Sequence, residues 1–190
     1  MSIRVLGGVA KGMPIATPKS FTTRPTSVTL KRKLFDSIQD FSEHQFIDLC
    51  CGSGSIGIEA LSRNASKAIF IDSHNLALEA VKKNLKALEK YEISKKSRSQ
   101  IIKVDASKWI KSLSDFDHPH NVLFFDPPYY ALDLYQTIYT EVFNSGLKMK
   151  LIMEGCSQKT MKLTQFLEKF PGHTKVFEKG TSYFVIYDIG

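Results

Sequence analysis

Four short apolar runs, each carrying or ending in an aspartate, constrain this chain more than any other feature. They are "FIDLC" with Asp48, "KAIFID" with Asp72, "IIKVD" with Asp105 and "VLFFD" with Asp126. Short continuous apolar runs suit strands that are covered on both faces. Helical patterns fill the gaps. "GSIGIEALSR" opens one helix, and "NLALEAVKKNLKALEKY" puts Ala77, Val81, Leu85 and Leu88 on one face of another. Further helical stretches fall around 105–114, 131–144 and 159–170. Strand alternating with helix predicts βαβ units, hence an α/β chain with a mostly parallel sheet and helices on both faces. "KLIME" adds a strand. "TKVFEKGTSYFVIYDI" reads as two strands joined through Lys179–Gly180, so the sheet is expected to finish with an antiparallel hairpin.

The chain of 190 residues is long enough for one domain with a substantial core and a small appendage. "IRVLGG" and "GMPIATP" flank Ala10–Lys11 and predict a small β-hairpin, with glycines supplying the turn. Thr26 or Ser27 can cap a following helix in which Leu30, Leu34, Ile38 and Phe41 recur at helical spacing. The expected organisation is a hairpin extension over 1–23 and the main domain over 24–190. No apolar stretch is long enough to span a bilayer, and the N-terminus lacks the apolar core of a signal peptide. Cys50, Cys51 and Cys156 make neither a disulfide framework nor a zinc motif. A cytoplasmic protein without metal or membrane partner, acting as a monomer, is the expectation.

Charge speaks to partners. The formal net charge is +7, unevenly spread. Residues 1–40 carry seven Lys/Arg against two acids, and residues 82–108 carry nine against three. Two basic regions on an otherwise balanced chain suit a polyanion such as nucleic acid, although a solvated face would read the same way.

"DLCCGSGSIG" contains Gly52, Gly54 and Gly57 as G-x-G-x-x-G at a strand-to-helix turn, where the backbone must turn sharply and approach a ligand. Asp72 lies 20 residues beyond Gly52, at the end of the second strand, where a carboxylate can take both hydroxyls of a ribose. A nucleoside-containing cofactor follows. The glycine spacing is that of dinucleotide binders. Asp48, close to the loop, instead suits a cofactor with a positive amino-acid head group, since an acid repels a pyrophosphate, and it could equally make a contact that only stabilises the loop. Asp105 and the Ala106 N–H, after the third strand, could read an adenine edge, and Asp105 could equally cap the next helix.

The fourth strand ends in Asp126–Pro127–Pro128–Tyr129. Prolines fix φ and lack an N–H, so the strand stops there. A carboxylate and the Pro127 carbonyl can accept both hydrogens of one exocyclic amine, with the prolines holding the two acceptors still. Tyr129 can stack on the base that bears the amine. Hydrogen bonds from both amine hydrogens raise electron density on a nitrogen otherwise conjugated with its ring. The chemistry this suits is amino-group methylation by direct displacement.

On these residues the chain resembles the class I S-adenosylmethionine-dependent methyltransferases with a [DNS]-P-P-[YFW] motif. Within that group it is similar to the bacterial family that methylates a guanine N2 in small-subunit (16S) ribosomal RNA. The marks are "RVLGGVAKG", "RPT" with "LF" following, "DLCCGSGSIGIEALSR", "FID", "VDA", "FFDPPY" and "KGTSYFVIYDI", nearly the whole length. The resemblance implies a Rossmann-like methyltransferase sheet. It places Asp48, Cys50, Gly52, Gly54, Asp72, Ser73, Asp105 and Ala106 around S-adenosylmethionine (S-adenosylhomocysteine as product), and Asp126 to Tyr129 at the target base. It implies ribosomal RNA, within a small-subunit particle, as partner. The basic residues Arg4, Lys11, Arg24, Lys31, Arg32 and Lys33 are the expected phosphate contacts. The chain departs from the family pattern at Lys31–Arg32, where a basic–acidic pair is usual, and at His74, where an acid is usual. Three rivals stand beside this expectation: a DNA adenine-N6 methyltransferase with the same four-residue motif, an NAD-dependent oxidoreductase, and a non-catalytic RNA-binding module.

Overall fold

The computed structural model describes residues 3–18, 27–38, 41–91, 98–128 and 130–190. Its centre is a seven-stranded sheet in the order β3-β2-β1-β4-β5-β7-β6. The strands are β1 (Gln45–Leu49), β2 (Lys67–Asp72), β3 (Ser99–Lys103), β4 (Asn121–Phe125), β5 (Met149–Cys156), β6 (Lys175–Lys179) and β7 (Ser182–Ile189). β1 to β5 run parallel, whereas β7 pairs antiparallel with both β5 and β6. The closing hairpin is therefore inserted with its second strand inward. Every inner position of β7 from Ser182 to Tyr187 is buried, while β6 forms an edge with exposed lysines at both ends. Charged ends discourage a further strand from pairing there.

The continuous apolar runs are explained by burial on both faces. Ile47, Leu49, Ile69, Ile71, Leu123 and Phe125 point into one cluster with Trp109, Tyr135, Ile138 and Phe166. Phe46, Val122 and Phe124 point the other way, against Leu30, Leu34 and Phe35, and Ala68 and Phe70 lie beside them against Val81 and Leu88. The period of two thus sorts each strand between helices on opposite faces. α1 (Val28–Ser37), α2 (Ser55–Ser62) and α3 (Asn75–Leu88) supply one face. α4 (Ala106–Trp109) with the 3₁₀ segment Ile110–Phe116, α5 (Leu132–Asn144) and α6 (Leu163–Lys169) supply the other. None of the helices is long and apolar enough to cross a membrane among the described residues.

Two elements differ from expectation. The N-terminal hairpin is held by Val5 N–H to Met13 O (3.0 Å), Gly12 N–H to Val5 O (2.9 Å) and Ile15 N–H to Ile3 O (2.9 Å), yet it forms one isolated bridge, Arg4 with Pro14, rather than two regular strands. Pro14 has no N–H to continue a ladder. The hairpin is also not a separate unit. Val5, Ala10, Met13 and Ile15 share a core with α2 and α3. The expected boundary at residue 23 lies outside the described residues. The first helix stops at Ser37, with Ile38 already extended, so Phe41 reaches the core from beyond the helix.

Candidate active site

β1 is flanked by β2 on one side and β4 on the other, so strand order reverses at this point. In open α/β sheets the crevice outside the carboxyl ends at such a point takes ligands. Four aspartates converge here. Asp48, Asp72, Asp105 and Asp126 all act on the Cys50 thiol, which burial first and then these carboxylates push well above its ordinary range. This environment disfavours a thiolate at Cys50.

The turn after β1 is fixed before any ligand arrives. Cys50, Gly52 and Gly54 all have left-handed backbone, with φ of 63°, 53° and 71°. Gly52 N–H donates to Asp72 Oδ2 (3.0 Å), and Gly57 N–H donates to Asp48 Oδ2 (2.9 Å). Gly57, in the first turn of α2, packs directly over β2, and a Cβ there would lie 2.5 Å from the Phe70 ring. Nothing lies within 4 Å of a Cβ built on Gly52, so the outer side of the loop is open to a ligand. The loop's carbonyls are gripped from behind. Lys31 Nζ donates to Ser55 O (2.6 Å) and Asn84 Nδ2 to Ser53 O (2.9 Å).

Each carboxylate has a distinct environment. Asp72 accepts Gly52 N–H on one oxygen and His74 N–H (2.9 Å) on the other. A carboxylate has about four lone-pair sites, so each oxygen retains capacity for one hydroxyl. Asp105 takes the capping role that its position allowed. Its Oδ1 accepts from Ser107 N (2.9 Å) and Ser107 Oγ (2.5 Å), which lowers its pKa and leaves Oδ2 outside the cap. Ala106 begins α4 and is buried, while Ser73 is exposed beside Asp72. Asp48 is 2% exposed. Burial pushes its carboxyl up to about 8, against the Gly57 N–H and with a further push from Asp126. Asp126 is half-buried, and burial raises it to about 7.

Two carboxyls held above their ordinary range in one crevice are the electrostatic complement of a cation. A sulfonium or ammonium between them would favour both ionised forms, whereas a pyrophosphate would not. The donor set therefore fits a nucleoside with a positive head group.

Asp126 N–H reaches Leu49 O (3.4 Å), tying the end of β4 to the end of β1. Its carboxylate has no hydrogen bond or ion pair among the described residues. Pro127 is buried and Pro128 exposed. The Pro128 carbonyl accepts from Ala131 N–H (2.9 Å), closing the turn. Tyr129, the expected stacking ring, lies outside the described residues. Its neighbour Tyr130 is 86% exposed. Tyr130 lines an open groove of about 410 Å³ with Asp105, Ser107, Ala131, Asp133 and Thr137. Among the described residues no group of three or more His, Cys, Asp or Glu side chains could hold a metal ion.

The basic segment needs correction. Lys31 is not a phosphate contact in this structure. Its side chain is 4% exposed, and Nζ lies 3.3 Å from Glu59 Oε2 as well as on Ser55 O. Glu59 itself is wholly buried in α2, where it also takes Leu6 N–H (2.7 Å) and Arg63 Nε (3.0 Å). Lys31 therefore joins α1, the glycine turn and the hairpin. Burial holds its ammonium below the ordinary lysine value despite the opposing effect of Glu59. Arg32 and Lys33, its neighbours, are exposed. Arg4 and Lys11 are exposed on the hairpin, whose tip docks by Val9 N–H on Ser62 O (2.8 Å), at the far end of α2 from the glycine turn. Arg24 lies outside the described residues. Glu59 and Asn84 were missed as site-building residues. The one signal for each was a polar residue standing on an apolar helical face.

Over residues 3–187 the sequence matches the family described as "Conserved hypothetical protein 95". It is 35% identical over 128 residues to YlbH of Bacillus subtilis, provisionally named an rRNA methyltransferase, covering 67% of this chain and 67% of that one. It is 31% identical over 137 residues to the ribosomal RNA small subunit methyltransferase D of Escherichia coli strain K12, covering 72% of this chain and 65% of that one. The chain thus spans about two thirds, or slightly less, of these relatives' own length. Among solved structures the fold is matched by yhhF of Escherichia coli, provisionally named a methyltransferase. The TM-score is 0.73 at 18% identity, covering 100% of this chain and 98% of that one.

Proposed function

This chain belongs to the conserved hypothetical protein 95 family, and we propose that it transfers a methyl group from S-adenosylmethionine to the exocyclic N2 amine of a guanine in small-subunit ribosomal RNA. The observation that carries this reading is Asp126. It is a half-buried carboxylate with no hydrogen-bond or ion-pair partner among the described residues, held at the switch point beside Pro127 and facing a crevice of acids. The names of the relatives support an rRNA substrate.

When bound, S-adenosylmethionine supplies a methyl group activated by its sulfonium. The chain supplies the rest. Asp72 would hold the ribose hydroxyls on its two free lone pairs, and Asp48 and Asp126 would face the positive head. Asp105 Oδ2 and the Ala106 N–H would hold the base of the cofactor. Asp126 and the Pro127 carbonyl accept the two hydrogens of the guanine amine and hold its nitrogen in line with the methyl group. Asp126, whose carboxyl burial raises above its ordinary range, is also placed to take the proton that the amine sheds after it is methylated. Tyr129 stacks on the extruded base. Arg32 and Lys33 take phosphates, together with Arg24 of the segment that leads into α1.

The test is transfer of tritiated methyl to small-subunit RNA and to partly assembled particles, followed by nucleoside analysis. Label in N2-methylguanosine is the expected result. Label in N6-methyladenine, or label in DNA only, would overturn the substrate assignment. Tight binding of NAD in place of S-adenosylhomocysteine would overturn the cofactor.

A further inference from the structure

Cofactor and RNA divide the carboxyl edge of the sheet between them. Asp48, Asp72 and Asp105 lie in or after β1, β2 and β3, which leaves the ends of β4, β5, β7 and β6 to the RNA. That half has a raised side. Phe125, the last residue of β4, pairs with Met153, and β5 runs on for three residues to Cys156, about 10 Å further. Ser182 opens β7 opposite Cys156, so the β5–α6 connection and the β6–β7 turn stand together as a rim beyond the Asp126 motif. Their backbones are fixed to one another. Ser157 N–H donates to Thr181 O (2.7 Å), Thr160 N–H to Cys156 O (2.7 Å) and the Tyr183 hydroxyl to Met161 O (2.8 Å). Charge on the rim has one sign. The connection carries Lys159 and Lys162, both exposed, and no acid occurs between Glu154 and Glu168. The turn carries exposed Lys179. In β6, Phe177 packs on the α1 side of the sheet and Val176 on the opposite side, so Lys179 shares the α1 face while Glu178 takes the other. Lys33 of α1 reaches the same corner, with its Nζ 3.5 Å from Glu178 O.

We propose that this rim is a second RNA-backbone surface: Lys159, Lys162 and Lys179, with Lys33 beside them, hold phosphates of the nucleotides that flank the extruded guanine. The proposal rests on the function argued above and adds the path of the RNA. A base extruded into the crevice at Asp126 leaves its strand running over the free half of the edge. β7 and β6 lie two and three strand spacings from β4, about 10 and 14 Å, which brings the rim within reach of the neighbouring nucleotides. Phosphate contacts set the register of a nucleic acid on a protein, and here they ride on a backbone already held by hydrogen bonds. Lysines on an edge strand also discourage pairing with another chain. That role covers Lys175 and Lys179 alike, but the two differ in place. Lys175 shares the strand and the face of Lys179, its Nζ lying 5.0 Å from the Phe177 ring centroid. It stands at the amino end, four residues or about 13 Å away. Lys175 is therefore the control.

The experiment is filter binding of the full chain to small-subunit RNA and to partly assembled particles, from low to high salt, beside methyl transfer to the same substrates. Lys159→Ala, Lys162→Ala and Lys179→Ala should each flatten the salt slope by about 0.7, the value for one phosphate contact on a single strand, and the triple variant by about 2. KM for RNA should rise in each, while S-adenosylhomocysteine affinity stays at the wild-type value. Lys175→Ala and Lys148→Ala remove the same charge from exposed positions at the amino end of the sheet and should keep the wild-type slope. Should the triple variant fail to fold, the single variants carry the same expectation. Rim variants with the wild-type slope would overturn the proposal. So would controls that flatten the slope as much as the rim variants do, because loss of net charge would then explain both. A wild type that methylates guanine N2 while the rim variants keep its slope would overturn the rim and leave the function standing. A wild type whose slope depends on the rim, but which labels adenine N6, would overturn the function and keep the rim.

Discussion

Replacing Lys31 by alanine should damage the fold rather than RNA binding. The lysine Nζ sits on Glu59 and on the Ser55 carbonyl, with the two side chains 4% and 0% exposed. Removing one partner of a buried pair costs about 3–5 kcal/mol, because the remaining charge stays out of water. The lower end applies here, since Glu59 keeps Leu6 N–H and Arg63 Nε. A chain of this size loses about 2–4 °C of melting temperature per kcal/mol, so Lys31→Ala should melt roughly 6–12 °C lower. Lys31→Met keeps most of the buried stem but still strands Glu59. Combining it with Glu59→Gln removes the stranded charge and should recover part of the loss, giving a favourable coupling in a double-mutant cycle. Thermal melts of the four proteins measure this. Filter binding from low to high salt measures the other half. Lys31→Ala that still folds should keep the wild-type salt slope, whereas Arg32→Ala and Lys33→Ala should each flatten it by about 0.7. Those two exposed substitutions should change stability by no more than about 0.5 kcal/mol. A Lys31→Ala protein as stable as wild type, or one with a flattened slope, would refute the buried-pair assignment and return Lys31 to the phosphate surface.

At saturating cofactor, Asp126→Ala should cut single-turnover methylation by roughly a hundredfold, as when one preorganised polar group is lost; unchanged turnover would mean that the motif is not the active site. Only ionised Asp126 accepts both its hydrogen bond and the amine's proton. The pH profile of kcat/KM for S-adenosylmethionine, which reports the cofactor-free protein, should therefore rise up to about pH 7 and level above it, and a profile flat from pH 5 to 9 would contradict this. Stability should run the opposite way. A carboxyl raised in the folded state costs stability as pH climbs from its unfolded value through about 7, so Asp126→Asn should melt higher than wild type at pH 8 and converge with it towards pH 4. Asp72→Ala should weaken S-adenosylmethionine and S-adenosylhomocysteine alike by about 1.5–3 kcal/mol, and isothermal titration giving equal affinities would place the ribose elsewhere.

The fold was legible because its signals are local. Runs such as Val122 to Phe125 alternate with helical stripes, and that order alone dictates a parallel sheet with a carboxyl-end crevice. The placement of the aspartates at that edge was legible for the same reason, since each interrupts or follows an apolar run. Lys31 was not. In the sequence it belongs to a run of three cations on an amphipathic helix, and only packing decides that one of them turns inward. Glu59, placed between Ile58 and Ala60, is its hidden partner. Asn84 escaped notice because its partners are backbone groups 31 and 68 residues away, a pairing that periodicity cannot express. The hairpin's shared core with α2 and α3 was equally invisible, since the spacing of Val5, Ala10, Met13 and Ile15 says nothing of what covers them.

The glycine turn held by Asp48, Asp72, Lys31 and Asn84 has a kinetic consequence. A site already fixed needs little ordering when its ligand arrives, so less binding energy is lost to conformational entropy. The used cofactor keeps the ribose, the base and the amino-acid head, and it benefits from the same rigidity. It loses only the methyl group and the sulfonium charge. Departure of S-adenosylhomocysteine should then be slower than the displacement itself, and the first turnover should outrun the rest. Rapid-quench methylation should show a burst of about one product per enzyme before the steady rate, as expected where release rather than chemistry limits turnover. A burst missing from the wild type would mean that the turn opens again after each reaction.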